Sequence, residues 1–194
     1  MYAVSGLARF GLIVALLAMG GCATVSKGEC QTGDWYGIGV RDGANGYGEE
    51  RFIENAKACG KHGIAADRER WLDGRMRGLE RYCTTRNGLA VGENGSNYRG
   101  VCPVESEGDF LMGFELGRDL HEARGRVSSF SAEIDDMRGR LEADREAKSE
   151  EDRKKYGLTD SERVEFAYRL GVAVVRREEA QRIVYQLEGE ARDL

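Results

Sequence analysis

Proline occurs once in the 194 residues, and histidine only twice, as His62 and His121. So few chain breakers leave room for long helices. Two isolated histidines, with no Cys-x-x-Cys among the five cysteines, leave a metal centre without a ligand set, so none is expected. An excess of positive charge is missing too. Lys and Arg number 29 against 34 Asp and Glu, a net charge of −5, which removes long-range attraction to nucleic acid. Neither a nucleophile elbow nor a zinc-protease helix motif occurs, and neither histidine has a patterned carboxylate or cysteine partner. The expectation is a protein that is not an enzyme and uses no cofactor. Beyond residue 22 there is no apolar run long enough to span a bilayer.

What is present begins at the amino terminus. Arg9 precedes an apolar run from Phe10 to Met19, the length of a signal-peptide core and too short for a membrane helix. Met19-Gly20-Gly21-Cys22 looks like a lipobox with methionine in place of the usual leucine. Residues 1–21 are therefore expected to be a lipoprotein signal peptide, Cys22 the lipidated residue, and 22–29 a tether. A single acyl chain anchors weakly, whereas the bacterial lipoprotein modification supplies two or three. Ala23, in place of an aspartate, favours the outer membrane, with the body facing the periplasm.

With Cys22 set aside, Cys30, Cys59, Cys83 and Cys102 remain. An even count in an exported chain reads as two disulfides. Three pairings are open. Cys30–Cys59 with Cys83–Cys102 is favoured because each closes a local loop around one helix-and-turn unit. All four cysteines and most of the glycine lie before residue 103, while the chain beyond 110 is charged and cysteine-free. The expected architecture is mainly α: a disulfide-stapled head over 30–109, followed by a long antiparallel helical hairpin over 110–194.

Within the head, three segments share the form aromatic-x-x-Gly-x-x-x-Gly: Tyr36/Gly39/Gly43, Trp71/Gly74/Gly78 and Phe110/Gly113/Gly117. On a helix these positions form one stripe. Each internal glycine costs about 1 kcal/mol relative to alanine, and close approach of helix backbones would compensate. Thr32 or Asp34, then Asp67, then Ser106 with Asp109 supply caps nearby. Tyr47 to Cys59 reads as a further short helix ended by Gly60, and the Asn-Gly pairs over 87–103 suggest a small β-hairpin.

Asp34-Trp35, Asp42-Gly43, Cys59, Gly74, Gly78-Leu79, Tyr82-Cys83, Gly92, Tyr98-x-Gly100-Val101-Cys102-Pro103 and Phe110 follow one another in the order seen in an uncharacterised group of proteobacterial lipoproteins. The chain resembles that family, the domain of unknown function twenty-seven ninety-nine, over about residues 30–140. Trp71 stands where the family pattern has a tyrosine. The resemblance implies an envelope location and a disulfide-bonded head. It brings no catalytic residue, substrate or cofactor.

Along the arm, Leu116, Leu120, Ala123, Val127, Phe130, Ile134, Met137 and Leu141 alternate four and three apart, as in a coiled-coil seam. Gly157 breaks the chain, and Thr159-Asp-Ser-Glu162 is a capping box that opens a second helix. Its expected seam is Val164, Ala167, Leu170, Gly171, Val174, Ile183, Val184 and Leu187. Val172, Ala173 and Val175 then fall outside the seam, as a second apolar face for an envelope protein or another copy of the chain. The preferred reading is thus a membrane-anchored protein with a structural or interaction role. The alternative is a small-ligand or glycan-binding head in which Trp35, Tyr36, Trp71 and Tyr98 stack on the ligand.

Overall fold

The computed structural model describes residues 24–194, so the expected signal peptide, its cleavage site and Cys22 lie outside the described residues. Every element among them is a helix: α1 (Lys27–Thr32), α2 (Trp35–Ala44), α3 (Glu50–Gly60), α4 (Arg68–Tyr82), α5 (Thr85–Glu93), α6 (Val104–Glu146), α7 (Glu150–Tyr156) and α8 (Asp160–Arg192). Local chemistry sets the starts. The carboxylates of Asp34 and Asp67 accept from the N–H groups of Gly37 and Arg70 at 2.9 and 3.0 Å. Ser26 with Glu29 and Thr159 with Glu162 complete capping boxes.

The β-hairpin expected over 87–103 is not there. That stretch opens on α5, capped by the Thr84 hydroxyl, which accepts from the Asn87 N–H at 3.2 Å. Asn87-Gly88 makes no turn because Gly88 is buried inside the helix, against a partner.

Four glycine-bearing helices pair in two couples. In the first, Gly39 and Gly43 of α2 face Gly74 and Gly78 of α4. A Cβ on any of these would lie closer than 3.0 Å to the facing backbone, Gly39 against Trp71 and Arg75, Gly43 against Arg75 and Leu79. The contacts advance together along both helices, so α2 and α4 run parallel. In the second couple, Gly88 and Gly92 of α5 face Gly113 and Gly117 of α6 in the same way, Gly88 against Phe110 and Phe114, Gly92 against Phe114 and Arg118. This is the interdigitation that offsets the cost of glycine in a helix: backbones approach closely and dispersion contacts replace side chains.

A parallel pair needs a return connection. The first couple returns through α3, the second through the loop between α5 and α6. Disulfides bind the return segment in each case. Cys30–Cys59 ties α1 to the end of α3, and Cys83–Cys102 ties the start of α5 to the start of α6, as the shorter-loop pairing anticipated. The head is therefore two tandem modules of one design. Leu79 and Tyr82, at the end of α4, pack with Cys83, Cys102 and Phe110 and weld the modules together.

The arm is the expected antiparallel hairpin. Ion pairs Arg163–Asp144 (2.7 Å), Arg169–Glu133 (3.6 Å) and Arg124–Glu188 (3.0 Å) fix its register. Leu120, Ala123, Ile134 and Met137 are buried on α6, as its spacing predicts. The α8 seam differs from expectation. Ala173, Ala180 and Val184 are buried, with Phe166 and Leu170 half-buried beside them. Val164, Ala167, Gly171 and Ile183 point outward instead. Small residues occupy α8 because α6 brings the bulk, and constant packing density forces one side to be small where the other is large. The stretch from Phe110 to Gly117 belongs to both head and arm, so the boundary is not a break in the chain. It lies inside α6, because α6 supplies Gly113 and Gly117 to the second module before continuing without a break into the hairpin.

Candidate functional site

The aromatic residues expected to hold a ligand in the head are mostly structural. Trp71 is 0% exposed and donates from Nε1 to Asp42 Oδ2 at 2.9 Å, while Trp35 packs beside it at 3%. Neither ring is open to a stacking partner, because both fill the core of the first module. Tyr98 is half-buried in the second module, its ring 4.7 Å from that of Phe110. Its hydroxyl accepts from the Cys102 N–H at 3.0 Å and donates to Glu107 at 2.9 Å. Burial pushes its ionisation upward, and the Cys102 N–H draws it partly back. Only Tyr36 stands open, at 40% exposure. The structure does not bring these four residues together into a binding surface.

The polar centre of the first module explains the Asp42-Gly43 pair. Asp42 is almost fully buried and accepts from Trp71 and, at 2.7 Å, from Asn55 Nδ2, whose side chain is itself inaccessible. The arginines Arg41 and Arg51 lie 3.8 and 3.9 Å from its other oxygen. A buried carboxylate persists only when it is hydrogen-bonded and paired, and Asp42 is both. Among the described residues no cluster of His, Cys, Asp and Glu is arranged to hold a metal ion.

Residues 34–119 match the family model described as a protein of unknown function (DUF2799). This segment belongs to the DUF2799 family. Its limits enclose the two glycine couples and leave out α1 with Cys30. The DUF2799 match opens on Asp34, the cap of α2, and closes two residues beyond Gly117, the last glycine of the second couple. The family segment is thus the pair of glycine-packed couples, and the hairpin beyond it is outside the DUF2799 match. No curated protein and no solved structure matches the chain.

Outside the DUF2799 segment the arm carries an apolar surface that none of the described residues covers. Val164, Tyr168 and Val175 are 71%, 72% and 53% exposed. They line up with Gly171 along the side of α8 turned away from α6. An open groove of about 540 Å³ lies beside Tyr168 and Val175, floored by Ala167, Gly171 and Val172. Of Val172, Ala173 and Val175, expected on such a face, Val172 and Val175 are found there, whereas Ala173 is buried against Ile134 and Met137. Tyr168 was missed, and Val164, Ala167 and Gly171 were expected in the seam. The signal that finds them is phase: a seam at 166, 170, 173, 177, 180, 184 and 187 leaves 164, 168, 171 and 175 on the opposite side. Among the described residues no helix is long and apolar enough to cross a membrane.

Proposed function

We propose that this protein is an envelope lipoprotein, tethered through lipid on Cys22 in the outer membrane, whose arm docks a helical partner on the outer face of α8. The observation that carries the docking role is the exposed line of Val164, Tyr168 and Val175 on a helix whose other side is already packed. Large apolar side chains grouped on one exposed face mark interaction surfaces, and an amphipathic helix laid in such a groove buries them. The tether rests on the lipobox-like Met19-Gly20-Gly21-Cys22. The head holds the arm's root rigidly between the tether and the hairpin.

Two measurements test the two halves of this reading. Metabolic labelling with an alkyne fatty acid should mark the full-length chain and fail on C22S; unlabelled wild-type protein refutes the tether. A photo-crosslinking amino acid placed at Tyr168 in living cells should give a defined higher-mass adduct, whereas the same group at exposed Lys61 in the head should not. Absence of any adduct from Tyr168 refutes the docking face.

A further inference from the structure

We infer that the occupant of the α8 outer face is the same face of a second copy of this chain, packed antiparallel, with Tyr168 of each copy over Gly171 of the other. The inference rests on the docking role proposed above and names the partner. Three features of the strip point to a copy of itself.

The first is order. Val164, Tyr168, Gly171 and Val175 are spaced four, three and four residues apart, a sequence of intervals that reads the same from either end. A two-fold axis between the turns of Tyr168 and Gly171 sets valine on valine and tyrosine on glycine, the self-complementarity that an isologous contact requires. The second is shape. Tyr168 projects into solvent, while a Cβ on Gly171 would meet nothing within 4 Å, leaving a flat hollow one turn away. Projection and hollow belong to one helix and exchange places under the two-fold.

The third is charge. α8 spends Arg163, Arg169 and Glu188 on ion pairs towards α6. Glu165 and Arg176 stay exposed beside the strip, about three turns apart and on the same side of the helix. Antiparallel pairing sets Glu165 of each copy against Arg176 of the other. A parallel pair, related by an axis along the helices, would put these charges of the two copies on opposite edges of the contact and leave them unpaired. Beyond Val175 the strip turns polar at Glu178 and Arg182, so the contact spans only about three turns. That is less than the roughly 1,200 Å² of a standard stable interface. Pairing therefore depends on tethered copies meeting at high effective concentration, with their arms lying along the membrane surface and their heads at opposite ends.

The test uses full-length chains in cells. V164C and V175C versions carrying different epitope tags are produced singly and together, then oxidised and run on non-reducing gels. A mixed-tag disulfide dimer should form on co-production. Either version alone should give at least ten-fold less, because like positions lie about 16 Å apart along the antiparallel pair. E165R should reduce the mixed dimer several-fold, and E165R combined with R176E should restore it. Self-linking of V164C alone would overturn the antiparallel arrangement. No mixed dimer, with the Tyr168 crosslinker still capturing a different protein, would overturn the second copy and leave the docking face standing. Silence from both would remove the docking face as well.

Discussion

Glycine in this protein works by what it keeps out. At Gly39, Gly43, Gly74, Gly78, Gly88, Gly92, Gly113 and Gly117 the missing methyl group is replaced by the backbone of the partner helix. Gly88→Ala is therefore expected to destabilise the head by about 1–3 kcal/mol through overpacking, even though alanine favours helix. Gly171→Ala, in open space, is expected to stabilise the dilute protein by up to about 1 kcal/mol. Thermal unfolding of the two variants side by side checks the contrast, and equal shifts would refute it. Gly46 and Gly95 serve differently. Both hold positive φ (67° and 66°) at the turn after the first helix of each couple, under the rings of Tyr82 and His121. Asp42→Ala would leave Trp71 Nε1 and Asn55 Nδ2 without their acceptor, with an expected loss of about 2–4 kcal/mol and a changed tryptophan emission spectrum.

One carboxylate ties the hairpin tip. Arg163 and the Leu158 N–H both bind Asp144, and together they hold its ionisation at about 2, below the usual 3.8. A depressed carboxylate stabilises the fold above its unfolded value and loses that contribution as pH falls through the folded one. Amide protection around Leu158 and α7, taken relative to the intrinsic exchange rate at each pH, should fall between about pH 4 and pH 2. R163A should move that loss of protection to higher pH. An unchanged profile would show that the pair does not close the tip.

At the scale of elements, the signals that were legible are those in which local chemistry and packing agree. The Thr159 capping box, the Asp34 and Asp67 caps, and the α6 seam appear where spacing places them, whereas Ser106 lies inside α6, which opens on Pro103 without a side-chain cap. The fourth glycine helix escaped because Thr85 stands where Tyr36 stands in the first module, removing the aromatic from the pattern. Its trace is a different repeat: Gly39-Val-Arg-Asp-Gly-Ala-Asn-Gly46 answers Gly88-Leu-Ala-Val-Gly-Glu-Asn-Gly95. On α8 several large apolar residues lie on the wrong side for a reader counting hydrophobicity, because Ala173 and Ala180 take two of its three buried positions. A charge separates the two faces. Ile134→Asp, at a fully buried site, is expected to melt the arm by several kcal/mol. Val175→Asp should leave its helicity and melting within about 0.5 kcal/mol, as monitored by circular dichroism.

For the whole molecule, the repeat of couple and disulfide means that stability is distributed between two modules sharing the Leu79–Phe110 contact. Disulfides spanning 29 and 19 residues contribute about 3–4 kcal/mol each in the chain-entropy treatment. Reduction should unfold the head at temperatures where the oxidised protein is intact, while much of the arm's helical signal survives. A single transition unaffected by reductant would contradict this. The compartment expected from the cysteine count and the stability of the head thus become one requirement.

α6 passes unbroken from the second module into the arm, so the hairpin behaves as a screw whose root is clamped. Each residue added to both of its helices advances the tip by about 1.5 Å and turns it by about 100°. Seven added residues return the α8 face to within about 20° of its original bearing, and two turn it nearly to the opposite side. The direction in which that face looks is consequently set by the length of the arm, counted in residues from the last glycine of the head.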